Sequence, residues 1–363
     1  MLCLNAGSSS LKAAGFIVEP GADPAPVLAQ SVERIGGPDE QVSALATIAD
    51  AFDRSGFAPD AIAHRVVHGG VNLTEHALLD ADVRADLQAA VPLAPLHLPA
   101  ELALLDAAAA RYRGCVQVVC LDTAFHRHLP PDARRLPIPA ELDAAGVRRY
   151  GFHGLSYEYL VHRLGATLGS RTVLAHLGNG ASLAAVRDGV GIDTTMGFTP
   201  AGGLVMGSRT GDLDPGVLVY VLRTRGADSD QVERLVDEQS GLLALSGRSG
   251  DVRDLLAARD RGDANAALAL DIYERVAAKH IAALTTVLRG LDTLVFTAGV
   301  GEHAASVRAG IGARLAHLGV TIDPSANDMD STVISAPGGT VTVRVEPTDE
   351  GAMMAIHAAR LAP

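Results

Sequence analysis

Met1–Val18 reads MLCLNAGSSSLKAAGFIV, and Val173–Asp193 reads VLAHLGNGASLAAVRDGVGID. Each stretch is an apolar run with strand character, a tight turn of Gly, Asn and Ser, and a second apolar run. Their cores, NAGSSSLKAA and NGASLAA, can be laid over one another with small gaps. Two copies about half a chain apart predict a duplicated α/β unit, two lobes with a cleft between them. The 363 residues are too many for one ordinary core and suit two lobes.

A third glycine turn follows in LVFTAGVGEHAASVRAGI. Leu294 to Ala298 reads as a strand, GVGEH as a turn, and Ala304 onward as a helix. A strand–turn–helix of this kind directs backbone N–H groups toward an anion. Helical patterns cover Pro99–Tyr112, Ser156–Leu168 and Asp263–Leu288, the last with Asp263 as a candidate cap. The Pro- and charge-rich segment Pro130–Gly146 reads as a connection between lobes.

Composition narrows the function. Hydrophobic residues make up 48% of the chain, aromatics only 4%, and Trp is absent, so the interior is built from Ala, Val and Leu. A net charge of −12 disfavours nucleic acid and anionic membranes as partners, but not small anionic substrates. Cys3, Cys115 and Cys120 lie in apolar runs without nearby Cys or His partners, as expected of reduced, buried thiols in a cytosolic protein. No run approaches the roughly 18 apolar residues of a membrane span.

The residues that can carry chemistry sit in small-residue loops. NAGSSSLK (Asn5–Lys12) offers backbone donors, hydroxyls and a Lys, the groups that hold a polyphosphate, although it lacks Walker spacing and also reads as an ordinary hairpin turn. Arg65 lies at the edge of the apolar run in AHRVVHGG, His97 between the prolines of LAPLHLP, and Asp122 at the end of the strand VVCLD, where α/β active sites often gather polar groups. Singly, each is as easily a surface Arg, a loop His or a helix cap. RRYGFHG places His153 between an aromatic and a Gly, and MGSRTGDLDPG carries Arg209. SGRSGDVRDL carries Asp251 and Arg253, and EPTDEG presents Glu350. Together they make a kit for phosphoryl transfer: phosphate-cradling loops, a carboxylate for a divalent cation, and cations around an in-line transition state. No Cys/His cluster and no Ser-His-Asp spacing competes with it.

These motifs resemble, in order, those of the acetate kinase family. NAGSSSLK, HRVVHGG, LAPLH, DTAFH, RRYGFHG, HLGNGAS, MGFTP, MGSRTGDLDPG, GVGEH and EPTDEG run from residue 4 to about 355. The resemblance implies two actin-like (ribonuclease H-like) α/β lobes. The first would be residues 1–126 completed by a C-terminal helix 352–363, and the second 127–351. It implies reversible transfer of the γ-phosphoryl group of ATP to acetate, direct and in-line, with Mg2+ (or Mn2+) and a homodimer. Asn5 and Glu350 match metal positions; Ser8, Ser10 and Lys12 match a first phosphate loop. Asp122, His153 and Arg209 match catalytic positions. Arg65 matches the carboxylate-binding arginine, with His97 in the site and Val67, Leu96, Phe152 and Pro200 matching the small acid pocket. His176, Leu177, Gly178, Asn179 and Gly180 match nucleotide segments, as do Asp251, Val252, Arg253, Gly299, Val300, Gly301, Glu302 and His303. Leu98, His303 and Asp349 stand where Asn is usual, and Leu155 and Tyr157 where Thr and His are usual. The alternatives are a kinase for propionate or another short acid, or a nucleotide-binding module without transfer.

Overall fold

The computed structural model describes residues 1–7, 10–33, 35 and 37–362. The first hairpin forms as its pattern requires. β1 (Leu2–Ala6) pairs antiparallel with β2 (Ser10–Ile17), and β2 with β3 (Ala25–Glu33). β4 (Ala61–Val66) then joins β1 in parallel; β5 (Ala77–Leu78) and β6 (Val116–Leu121) complete a sheet of order β3-β2-β1-β4-β6-β5. Parallel neighbours need crossovers, supplied here by the helices Pro38–Arg54 and Leu98–Arg111.

The second unit repeats the plan. β7 (Arg171–Leu177), β8 (Ala181–Arg187) and β9 (Val190–Thr194) form antiparallel neighbours. β10 (Thr293–Thr297) and β11 (Thr342–Val345) add in parallel beside β7, giving β11-β10-β7-β8-β9. The sequences β3-β2-β1-β4-β6 and β9-β8-β7-β10-β11 thus match strand for strand in order and direction, so the duplication read from the two glycine turns is present in the fold.

The helices tie the units together. Ala264–Leu288 is capped by Asp263, whose carboxylate accepts from Asn265 and Ala266 N–H. Glu350–Leu361 returns to the first sheet, where Met353, Met354 and Ala355 share an apolar cluster with Cys3, Ala63, Val118 and Cys120. Another cluster is continuous from Val66, Val67 and Phe152 to Val173, Ala175 and Leu183, so apolar packing spans both sheets. The segment Pro130–Gly146 contains two short helices, Pro131–Arg134 and Ala140–Ala144. GVGEH is not an open turn. It lies within a helix, Ala298–His303, because the Glu302 carboxylate folds back to accept the Ala298 N–H at 2.8 Å. Cys3 and Cys120 are buried and Cys115 half-buried, all three as free thiols. No helix among the described residues is long and apolar enough to cross a membrane.

Candidate active site

Neighbouring parallel strands carry the first charged pair. Arg65 is the penultimate residue of β4, and Asp122 directly follows β6. Arg65 Nε and Nη2 donate to the two Asp122 oxygens at 3.2 and 2.5 Å, and Nη1 donates to Ala6 O at 3.0 Å. A guanidinium has five N–H groups, so three of them take these partners and one N–H remains on each terminal nitrogen. Asp122 is fully buried. Burial pushes its carboxyl up, to about 6, against the pull of Arg65; burial opposes the Arg65 charge, yet Asp122 and Glu350 raise its pKa. A two-point contact at these distances keeps the pair ionised at neutral pH. Gly154 is required beneath it, because a Cβ there would stand 2.2 Å from Asp122 O.

The opposite wall comes from the second unit. His153 holds a left-handed backbone (φ 58°) as it enters the helix Gly154–Leu164, and its ring stacks on His176 at 4.1 Å. His153 Nδ1 lies 2.8 Å from Ser182 Oγ, which leaves Nε2 toward the cleft. A methyl carbon placed on Gly180 would lie 3.4 Å from His153 Nε2 and 3.6 Å from Arg209 Nη1. Those two nitrogens therefore converge over one glycine. Asp237 Oδ1 sits 3.4 Å from Arg209 Nε.

Between the walls is a cavity of about 360 Å3. Arg65, Val67, Leu96, His97, Asp122, Phe152, His153, Pro200 and Arg209 all line it, with Gly7, Asn179 and Gly180. Every residue that the sequence reading placed on the catalytic and small-acid side is thus in one chamber. Burial lowers the pKa of His97 to about 4, aided by Arg209 and Arg65. Burial also lowers His176 to about 4 and His153 well below the ordinary value, the latter aided by His176 and the two arginines. The imidazoles are neutral at pH 7, so the fixed positive charge here belongs to the two guanidinium groups.

A second cavity, about 820 Å3, contains Asn5, Lys12, Ala298, Gly299, Glu302 and Glu350. Asn5 Nδ2 donates to Glu350 Oε2 at 2.9 Å, and that carboxylate lies 3.9 Å from Arg65 Nε, which joins the two cavities. Ser10 opens β2, and the Gly7 N–H donates to its carbonyl at 2.8 Å; Ser8 lies outside the described residues. His176 and Leu177 end β7, and Gly178, Asn179 and Gly180 form the turn to β8. Gly301 and Val300 pack against the second sheet, while His303 is exposed. Asp251 caps the helix Val252–Asp260 and pairs with exposed Arg253. Neither lines the two cavities, although the preceding Gly250 abuts Gly207, which in turn meets Asn179.

Other residues also contribute to the site. Glu101 is buried and accepts the Val67 N–H at 3.0 Å; burial raises it to about 7. Asp237, Ser182 and Tyr157 also support the site. Away from the cleft, Glu158 accepts from His76 Nε2 (3.0 Å) and His357 Nε2 (2.8 Å), the metal-like grouping found among the described residues. Leu121 N–H donates to His76 Nδ1 at 3.0 Å. That donor puts the His76 proton on Nε2, the atom a metal needs, and offers no acceptor for an Nδ1–H. The group is a hydrogen-bonded clasp. Burial pushes Glu158 up, but the His357 and His76 hydrogen bonds outweigh it and hold the carboxyl at about 2.

The chain is similar to known proteins over most of its length. The chain is 43% identical to the acetate kinase of Micrococcus luteus over 373 positions, covering 96% of each. It is 45% identical to that of Rhodopseudomonas palustris over 309 positions, 83% of this chain and 77% of the relative. Among solved structures, Porphyromonas gingivalis acetate kinase superposes with a TM-score of 0.90 at 33% identity, covering 100% and 99% of the two chains. A propionate kinase from Francisella tularensis gives 0.88 at 33% identity, covering 99% of both. A putative N-acetylmannosamine kinase from Listeria monocytogenes, 14% identical with a TM-score of 0.51 and covering 99% and 98%, shares the fold alone. The model of the Acetokinase family matches residues 39–356, and the chain belongs to that family.

Proposed function

We propose that this chain transfers the γ-phosphoryl group of ATP to acetate, reversibly, giving acetyl phosphate and ADP. The observation that carries the reading is the chamber in which Arg65, Arg209 Nη1 and His153 Nε2 converge above an apolar wall of Val67, Leu96, Phe152 and Pro200. ATP and a carboxylate repel each other. Arg65, held by Asp122 and Ala6 O, keeps an N–H on each terminal nitrogen to grip a carboxylate at two points. Arg209 and the neutral His153 donor stand where charge develops on the transferring group. A carboxylate oxygen is already a nucleophile, so Asp122 acts as the counter-ion that orients Arg65 rather than as a base. Catalysis then rests on alignment and charge stabilisation.

Asn5 and Glu350 suit a divalent cation: with Asn5 Nδ2 given to Glu350, the Asn5 amide oxygen and the carboxylate are hard oxygen donors, as Mg2+ or Mn2+ prefers. Bound there, the cation would neutralise charge on the nucleotide phosphates. Lys12 and Ser10 beside it, with residues 176–180, 251–253 and 299–303, form the proposed nucleotide side; Glu302 serves by shaping its helix. The lobes, residues 1–126 with 352–363 and residues 127–351, close over both substrates to exclude water. The apolar helix Pro215–Arg225, with Val217, Val219, Tyr220 and Leu222 exposed, supports a homodimer, and the free thiols support a cytosolic setting.

The test is acyl phosphate trapped with hydroxylamine from acetate, propionate and butyrate. Wild-type protein should give most hydroxamate with acetate, and Arg65→Ala should lose it through a raised KM for the acid. Specificity constants favouring propionate, or an unaffected Arg65→Ala rate, contradict the reading.

A further inference from the structure

Tyr157 is fully buried, and among the described residues its hydroxyl has one hydrogen-bond partner, Ser182 Oγ at 2.5 Å. Ser182 is likewise buried, and among the described residues its Oγ meets only that hydroxyl and His153 Nδ1, at 2.8 Å. We propose that Tyr157 and Ser182 are positioning residues that hold His153 as its Nε2–H tautomer, aiming a neutral donor into the cavity beside Arg209.

Each buried donor needs an acceptor. The three groups carry a phenolic O–H, a seryl O–H and one imidazole N–H. If Tyr157 donates to Ser182, and Ser182 to Nδ1, both buried hydroxyl protons are used and the ring proton falls on Nε2. In the reverse arrangement His153 Nδ1–H donates to Ser182 and Ser182 to Tyr157, which strands the phenolic O–H in a buried site without an acceptor. An unmade buried hydrogen bond is costly, so the first arrangement prevails. Its consequence is chemical. With the proton on Nε2 the ring donates toward the spot above Gly180; with the proton on Nδ1 it would present a lone pair there and repel a phosphoryl oxygen. Protonating both nitrogens is opposed by burial and by two nearby guanidinium groups. A tautomer lock keeps the donor without adding a third cation. Tyr157 stands where the family usually has His, so here a phenol starts the relay, its ring seated near Phe125 and His126.

The catalytic consequence rests on the proposed transfer reaction, but the tautomer is measurable without it. Protein labelled with 15N in its histidine rings, with His153 assigned through His153→Gln, should show His153 protonated at Nε2 and bare at Nδ1 at pH 7. Tyr157→Phe should fold normally, shift the His153 ring signals toward a tautomer mixture and lower kcat about tenfold with KM for both substrates nearly unchanged. Ser182→Ala should lower it at least as much. A wild-type His153 carrying its proton on Nδ1, or a Tyr157→Phe protein with unaltered ring signals and kcat, overturns the proposal. Should wild type form no acyl phosphate, the functional reading fails while the ring spectrum still decides the tautomer.

Discussion

Asp122 and Arg65 form a pair whose removal should be strongly non-additive. Arg65→Ala leaves Asp122, a fully buried carboxylate, with no cation in contact among the described residues. Stripping one partner from a buried ion pair costs about 3–5 kcal/mol. Asp122→Ala is milder, about 1–3 kcal/mol, because Arg65 keeps its bond to Ala6 O, lies 3.9 Å from Glu350 and is 14% exposed. The double variant removes both charges, so it should be no less stable than Arg65→Ala alone and fall short of the summed costs by at least the Asp122→Ala share, about 1–3 kcal/mol. Urea unfolding at pH 7 reads this from midpoints at constant slope. The pH dependence has a definite sign. In Arg65→Ala the folded-state pKa of Asp122 rises further above its unfolded value, so the carboxylate costs stability as pH rises and the deficit shrinks as pH falls to 5.5. Costs that add to within about 0.5 kcal/mol, or an Arg65→Ala deficit equal at both pH values, refute the idea that Asp122 serves as the counter-ion of Arg65.

Other consequences follow from single contacts. Gly180→Ala should leave thermal stability nearly unchanged, since Gly180 does not need a left-handed backbone, yet its methyl enters the space between His153 and Arg209; kcat/KM should fall about tenfold or more, and an unchanged value contradicts the convergence of donors. Val67→Ala enlarges the wall beside Arg65, so the propionate-to-acetate ratio of kcat/KM should rise about tenfold or more; a steady ratio in the hydroxamate assay removes Val67 from the pocket. His64 is buried, its Nδ1 has no partner among the described residues, and burial lowers its pKa to about 4. The unfolded chain binds that proton first, so stability is lost as pH drops from about 6.5 toward 4, by about 2 kcal/mol at pH 5. His64→Leu should lose that share of the pH dependence in urea melts at pH 7 and 5, and an unaltered dependence speaks against it.

Local patterns carried much of the fold. The hairpins at Asn5–Lys12 and His176–Ser182 were visible because strand, turn and strand are contiguous, and Arg65 and Asp122 because polar residues ending apolar runs stand out. Their pairing was not visible: the two are 57 residues apart and meet only because a crossover sets β4 beside β6. Nothing in the local sequence separates Glu101 and Asp237 from other helical acids; their roles depend on a backbone N–H and a guanidinium delivered by remote segments. GVGEH read as a turn from its glycines, and the helix there depends on Glu302 reaching back to Ala298. Tyr157 departs from its motif without a local sign of its role, since nothing near it in the sequence places Ser182 at its hydroxyl. The helix Glu350–Leu361 gave no local hint of lying on the first sheet, because its apolar face fits either lobe.

The most direct measurement is a crystal structure of the protein with ADP, Mg2+, acetate and aluminium fluoride as a mimic of the transferring group. Arg65 should lie on the acetate, and Arg209 and His153 Nε2 should both be within about 3 Å of the fluoride ligands, with the aluminium in line between acetate and the ADP β-phosphate. Acetate bound away from Arg65, or a fluoride group out of reach of Arg209 and His153, contradicts this arrangement.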